Sequence, residues 1–306
     1  RLTGSRVSFA MRLPRLLPLL LALAHSLPAQ PAPPPATPAA HVATAPFAVR
    51  VVGTGAPVVL IPGLASGGTV WDDLVARLSA THECHVLTLA GFAGQAPVVA
   101  DSTWLPRMRD AIVAYVRERR LVRPVLVGHS LGGFLALEIA AAEPTLPRAV
   151  VNVDGLPFFP ATMGPNVTIE GARQMAAQMR QSMRASAGAS AQAMEVQVRS
   201  MVRDTTRLPM VRDMMRRSDG ATVAEAMSAL YTTDLRPALG RITVPVLNLH
   251  AWAAYRSFGQ TRAGLEQLLA GQYATLRTGT TRISDSAYHF IMLDEPGWVA
   301  SEVEAL

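Results

Sequence analysis

Val125-Leu126-Val127-Gly128-His129-Ser130-Leu131-Gly132-Gly133 sets a serine between glycines directly after an apolar run. Val125, Leu126 and Val127 make a short apolar run of the kind found in a buried strand. Gly-x-Ser-x-Gly follows, and residues 131–142, rich in Ala and Leu, read as a helix. A serine between a buried strand and a helix sits on a sharp turn that exposes its hydroxyl. Gly128 and Gly132 remove the side chains that such a turn would crush. Leu131 opens the helix, so its amide and the helix dipole favour negative charge developing beside the serine. Ser130 is therefore the candidate nucleophile, and the Leu131 amide one half of an oxyanion hole. His129 should diverge from Ser130 at the turn, and we read it as a packing residue, or one that supports the site from behind, rather than the base.

Outward from this stretch, short apolar runs alternate with helical spacing. Residues 47–52, 58–61, 86–89, 124–127, 149–153 and 245–250 read as strands, and a last strand is expected just before Ser284. Residues 69–78, 102–119, 131–142, 260–269 and 298–306 read as helices, the second of them capped by Asp101 or Ser102. Repeated strand–helix units imply an α/β fold with a mostly parallel sheet covered on both faces. One block interrupts the alternation. Ten of the thirteen methionines lie between Met163 and Met227, with Met175, Met179 and Met183 at helical spacing. We read residues 155–241 as a helical cap inserted into a core made of residues 47–154 and 242–306.

The remaining chemistry is sought at the ends of the other strands. Leu60-Ile61-Pro62-Gly63-Leu64 closes an earlier strand, and the Leu64 amide is placed to be the second oxyanion donor. His289, in Tyr288-His289-Phe290-Ile291, follows the last strand and is the candidate base. His250 ends a strand and is a weaker rival. The acid has two possible positions. The loop after Leu249 reads His250-Ala251-Trp252-Ala253-Ala254-Tyr255 and holds no carboxylate. The strand after the nucleophile helix ends in Asn152-Val153-Asp154-Gly155, and Asp154 is our candidate, with Asp285 the runner-up. As an ordinary turn residue, Asp154 would need no further role.

On these residues the chain resembles the α/β-hydrolase superfamily over residues 47–306. The matching pieces are Pro62-Gly63-Leu64 with Trp71 downstream, Gly128-His129-Ser130-Leu131-Gly132-Gly133, His289 followed by Phe290, and the order Ser, Asp, His. The resemblance implies an eight-stranded, mostly parallel sheet with a helical cap, and two-step acyl transfer that needs no cofactor and no metal. Two departures stand out. Pro62 occupies the usual place of a histidine, and the acid has moved to Asp154, as in some lipases and dehalogenases of the superfamily. A serine nucleophile argues against dehalogenation.

Composition bounds the partners. Half the 306 residues are apolar and 16% are charged, which suits a well-buried enzyme. All 28 basic residues are arginines. Four of them, and no acidic residue, lie in the first 29 positions, so the rest of the chain carries about +2 of the formal +6. That is too little to suggest a nucleic-acid partner. Cys84 is the single cysteine, and in His82-Glu83-Cys84-His85 it reads as part of a strand rather than a metal site.

The N-terminal residues read as an address. Met11-Arg12-Leu13-Pro14-Arg15 is basic, residues 16–23 are apolar apart from Pro18, and Ala24, Ser26 and Ala29 are small. This is the order of a secretory signal, and the apolar run is too short to span a bilayer. We expect residues 1–29 to be an export signal, residues 30–46 a Pro- and Ala-rich tether, and the protein to be secreted or periplasmic with no stable membrane span once the signal is removed. The expected activity is hydrolysis of a carboxylic ester or lactone of a small to medium apolar substrate. Amidase, peptidase and perhydrolase chemistry use the same triad, and a non-catalytic ligand-binding homologue is the alternative from another class.

Overall fold

The structure, a computed structural model, describes residues 46–164, 167–185, 191–256 and 259–306. The expected export segment and all of the tether except Pro46 lie outside the described residues. Seven strands, β1 (Phe47–Val52), β2 (Ala56–Ile61), β3 (His82–Leu89), β4 (Val125–His129), β5 (Ala149–Val153), β6 (Val246–Ala251) and β7 (Gly279–Ser284), form one sheet in the order β1-β3-β2-β4-β5-β6-β7. β1 runs antiparallel to β3, and every other pairing is parallel. The eight strands that the family resemblance implied become seven among the described residues. Six of them carry the apolar runs that the sequence marks out, and the seventh, β7, is the largely exposed Gly-Thr-Thr-Arg-Ile-Ser segment where a last strand was expected before Ser284.

The central strands explain themselves. Every residue of β4, β5 and β6 is buried, as expected where helices cover both faces of a parallel sheet. Helices α1 (Asp72–Leu78), α2 (Trp104–Glu118) and α3 (Leu131–Ala142) connect the first five strands. In α2, Trp104, Leu105, Met108, Ile112, Val113 and Val116 are buried at three- and four-residue spacing, the stripe of a helix with one wet face. α3 is different: ten of its twelve residues are buried, so it is apolar all round. It lies against β2, β4 and β5 with α2 packed beside it. The expected cap at Asp101 takes another form, since Asp101 accepts the Thr103 amide (2.9 Å) in a turn one residue ahead of α2. The sequence His82-Glu83-Cys84-His85 is strand β3. The Cys84 thiol is buried and raised to about 11 by desolvation, with Arg50 acting against the shift.

Between β5 and β6 the chain forms α4 (Ile169–Ala185), α5 (Ala191–Met201), α6 (Leu208–Arg216) and α7 (Gly220–Thr232). α4 packs along α7, and α5 along α6. Backbone contacts fasten this block to the sheet side: Asp219 N–H donates to the Gly91 carbonyl (2.7 Å), and Gly94 N–H to the Arg217 carbonyl (3.1 Å). The Met214 sulfur accepts Gly67 N–H (3.2 Å) and the Thr69 hydroxyl (3.3 Å). After β6 come α8 (Ala253–Arg256), α9 (Arg262–Gln272), then β7, α10 (Ile291–Asp294) and α11 (Pro296–Glu304). No described helix is long and apolar enough to cross a membrane.

Candidate active site

The candidate functional residues stand where strands end. Ser130 follows β4 with φ 52° and ψ −114°, a conformation that costs a non-glycine residue about 1–3 kcal/mol. Two backbone bonds hold it there: Ser130 N–H donates to the Val153 carbonyl (2.8 Å), and Phe134 N–H donates to the Ser130 carbonyl (2.9 Å). The glycines on either side make the turn possible. A Cβ on Gly128 would lie 2.1 Å from the Gly132 carbonyl oxygen, and one on Gly132 would lie 2.2 Å from that of Ile61. The turn is thus pressed against the end of β2 and the loop that carries Leu64.

Asp154 repeats the arrangement one strand over. It follows β5 with φ 52°, and its N–H donates to the Leu249 carbonyl (2.7 Å) in β6. Its carboxylate is buried and takes three hydrogen bonds. Oδ2 accepts His289 Nδ1–H at 2.7 Å, and Oδ1 accepts the Ala251 amide at 3.1 Å and His250 Nδ1 at 3.2 Å. Burial by itself would raise this acid. The bonds from His250 and His289, with their charges, outweigh it and hold Asp154 well below the usual carboxylate range. With Nδ1 committed to Asp154, His289 has Nε2 left as its basic atom.

Structure thus joins Asp154 to His289, whereas Asp285 pairs with Arg262 at the exposed surface. Ser130, His289, Asp154 and Leu64 all border one cavity of about 110 Å³. Leu131 is fully buried at the start of α3, where a helix leaves its first amides without intrahelical partners. No hydrogen bond connects the Ser130 hydroxyl to the His289 ring, a bond that commonly tightens only with substrate present. His129 takes the supporting role, one of the two expected of it, with its ring close to the site. Its buried Nε2–H donates to the His289 carbonyl (3.1 Å), and its ring lies 4.6 Å from that of His289. Burial, then the nearby His289, keeps His129 neutral by lowering it well below the usual range. It supports the backbone of the base.

The rest of the cavity wall is mainly apolar: Leu156, Phe159, Met201, Met227, Leu230 and Phe290. Tyr255 also lines it, and burial followed by the Asp154 charge pushes its phenol upward, so it stays protonated. Thr162 and Ser200 donate their hydroxyls to the Phe159 and Gln197 carbonyls (2.9 and 2.7 Å). No arginine is among the described residues that line the cavity. The histidine loop is fastened to the inserted helices. Phe290 N–H donates to the Met201 carbonyl (3.1 Å), and Asp294 accepts the amides of Arg203 (3.0 Å), Asp204 (2.9 Å) and Tyr288 (2.7 Å). Sequence reasoning missed Asp294, and it missed the buried polar chain behind Asp154 made by His250, Tyr273 and Asn152. The one signal for that chain was Asn152 and Asn248, two polar residues inside otherwise apolar strand runs.

Known proteins agree with this architecture. A pimeloyl-[acyl-carrier protein] methyl ester esterase from Aeromonas hydrophila is 30% identical over 114 residues, which are 37% of this chain and 43% of that protein. The chain therefore spans less than half the length of that relative. Among solved structures, an enol-lactonase from Burkholderia xenovorans superposes with a TM-score of 0.65 at 19% identity, over 85% of this chain and 95% of that one. An esterase from Thermogutta terrifontis gives 0.65 at 20% identity, over 85% and 92%. These two likenesses establish the fold. The family model described as "Alpha/beta hydrolase family" matches residues 58–302, a span that runs from within β2 through the turns bearing Ser130 and Asp154 into α11. By that match, and by the parallel sheet that carries these turns, the chain belongs to the α/β-hydrolase family.

Proposed function

We propose that this protein is a serine-dependent carboxylic ester hydrolase, active on esters or lactones with a small to medium, neutral, apolar acyl group. The observation that carries the reading is the hydrogen-bonded Asp154–His289 pair, bordering the same cavity as Ser130. In this reading His289 Nε2 takes the proton of Ser130 as its oxygen attacks the ester carbonyl. The oxyanion is held by the amides of Leu64 and Leu131. The protonated His289 then gives its proton to the leaving alkoxide, which departs as the alcohol. Water, deprotonated by His289, releases the acid and restores Ser130. Asp154 stays ionised throughout and steadies the imidazolium.

Substrate class follows from the cavity wall. With aliphatic, thioether and phenyl groups around the site and no arginine among the described lining residues, a neutral acyl chain is the substrate we favour over one ending in a carboxylate. The volume of about 110 Å³ suits a chain of a few carbons. The relatives named as esterases support the reaction class. We further propose export to the periplasm or medium, supported by the basic, apolar and small-residue order of residues 11–29; mass spectrometry of the N-terminus of protein recovered from secreting cells tests it.

The deciding assay is turnover of p-nitrophenyl esters from acetate to palmitate, with Ser130→Ala as control. Turnover greatest for short chains and lowered at least about 10⁴-fold by the substitution is expected. Activity that survives Ser130→Ala would overturn the nucleophile. A folded wild type that cleaves no ester would overturn the substrate class.

A further inference from the structure

Asp154 faces two histidines, and the mechanism above uses only one. His250 is the last residue but one of β6, where the register pairs Leu249 with Val153 and so sets His250 beside Asp154. It is 2% exposed, and its Nδ1 lies 3.2 Å from Asp154 Oδ1, the oxygen that His289 does not use. On its other side Nε2 lies 2.9 Å from the Tyr273 hydroxyl, at the end of α9. That hydroxyl is 2.8 Å from the Gly155 carbonyl and 2.9 Å from Asn152 Nδ2. Asn152 in turn reaches the Gly155 carbonyl (2.8 Å) and Asn248 Oδ1 (3.0 Å). These groups are all buried.

Proton counting fixes one role: an ionised carboxylate only accepts, so His250 Nδ1 must carry a hydrogen toward Asp154. At Nε2 the ring meets the Tyr273 hydroxyl, which donates to the Gly155 carbonyl and accepts from Asn152 Nδ2. The chain from Tyr273 through His250 to Asp154 is thus buried and hydrogen-bonded at every link, a condition under which such networks rigidify. We propose that His250, held by Tyr273, is a positioning residue for the acid: it pins Asp154 Oδ1 so that Oδ2 meets His289, and it disperses part of the carboxylate charge. The inference rests on the ester-hydrolase reading above.

The groups that face Asp154 are His250 from β6, His289 from the loop after β7, Tyr255 from α8, Tyr273 from the end of α9, and the more distant His129 from β4. Removing the His250 donor has two consequences. Alignment of Asp154 is lost, which lowers kcat. The carboxylate charge concentrates on Oδ2, which favours protonated His289 and moves the acid limb of kcat/KM to higher pH.

The experiment compares His250→Asn, Tyr273→Phe, the double variant and Asp154→Asn in the full chain, using p-nitrophenyl butyrate from pH 5 to 9. A fluorophosphonate titration counts competent sites, so loss of folded enzyme is corrected for. His250→Asn should lower kcat about 10- to 100-fold with KM unchanged and shift the limb upward. Tyr273→Phe should act in the same direction, about three- to tenfold, and add nothing once His250 is replaced, because it works through that ring. It also keeps the test decisive if His250→Asn does not fold. A kcat per competent site within twofold of wild type, or a limb that stays in place or moves down, would overturn the proposal. If Asp154→Asn itself left activity intact, the triad reading would fall instead.

Discussion

Two regions of this molecule are built on opposite terms. Along the ends of β4, β5 and β6, backbone hydrogen bonds step from strand to strand: Ser130 N–H to the Val153 carbonyl, Asp154 N–H to the Leu249 carbonyl, and Ala251 N–H to the Asp154 carboxylate. These contacts fix two residues at φ 52° and leave their side chains little freedom. Among the described residues no backbone hydrogen bond joins the helices α4 to α7 to one another. Arg180 pairs with Glu225 and Arg212 with Glu195 across them, and Met194, Met214, Met215 and Met227 are buried in this block as flexible groups that fill irregular space. On the proposed function, the groups that must hold a geometry within tenths of an ångström sit on the rigid staircase, and those that would exclude water and shape an acyl chain sit on the adaptable block.

The comparison breaks hardest at the staircase. Asp154→Asn should lower kcat about 10³- to 10⁴-fold in the ester assay, since an amide can hold His289 in the wrong tautomer. The same variant bears on stability. Because folding lowers the pKa of Asp154, its ionised form adds stability above the ordinary carboxylate range near 4, and that stability is lost as pH falls through the lower folded value. Acid unfolding followed by circular dichroism should therefore be less steep below about pH 4 in Asp154→Asn than in wild type. An identical slope would mean the buried carboxylate is not linked to folding as described.

A smaller effect is expected where the two regions join. Asp294→Ala leaves the amides of Arg203, Asp204 and Tyr288 without their acceptor and loosens the histidine loop from the inserted helices. Steady-state kinetics should show kcat/KM down about 10- to 30-fold with native circular dichroism. Unchanged kinetics would show that the base is held from the sheet side alone. The smallest effect belongs to the adaptable block. Met227→Ala should move the preferred acyl chain one or two carbons longer, with kcat/KM for the original best ester changed less than about tenfold. A loss as large as that of Asp154→Asn would abolish the distinction between the two regions.

How much of this was legible beforehand follows the same division. Ser130, Leu131 and the strand–turn–helix around them are local, because a turn pressed between two glycines is specified within nine residues. The six apolar runs and their order were equally readable, and the polar seventh strand was expected only from its place before Ser284; the eighth came from resemblance alone. His289 was found by its place after the last strand. The unnamed partner of His129 and the omission of Asp294 have one cause: each acts on a loop more than 80 residues away or on the turn facing it, and nothing beside them in the chain marks that partner.

By itself, then, the sequence determined the strand–helix alternation, the exposed serine and the carboxylates available at strand ends, since these depend on periodicity and on conformations within a few residues. Only the tertiary structure decided which carboxylate meets the base and what holds it. Asp154 reaches His289 across 135 residues, His250 across 96, and Asn152 reaches Tyr273 across 121. Those meetings are set by the parallel register of β5 on β6, which places Asp154 beside His250, and no local propensity encodes a register between strands nearly a hundred residues apart.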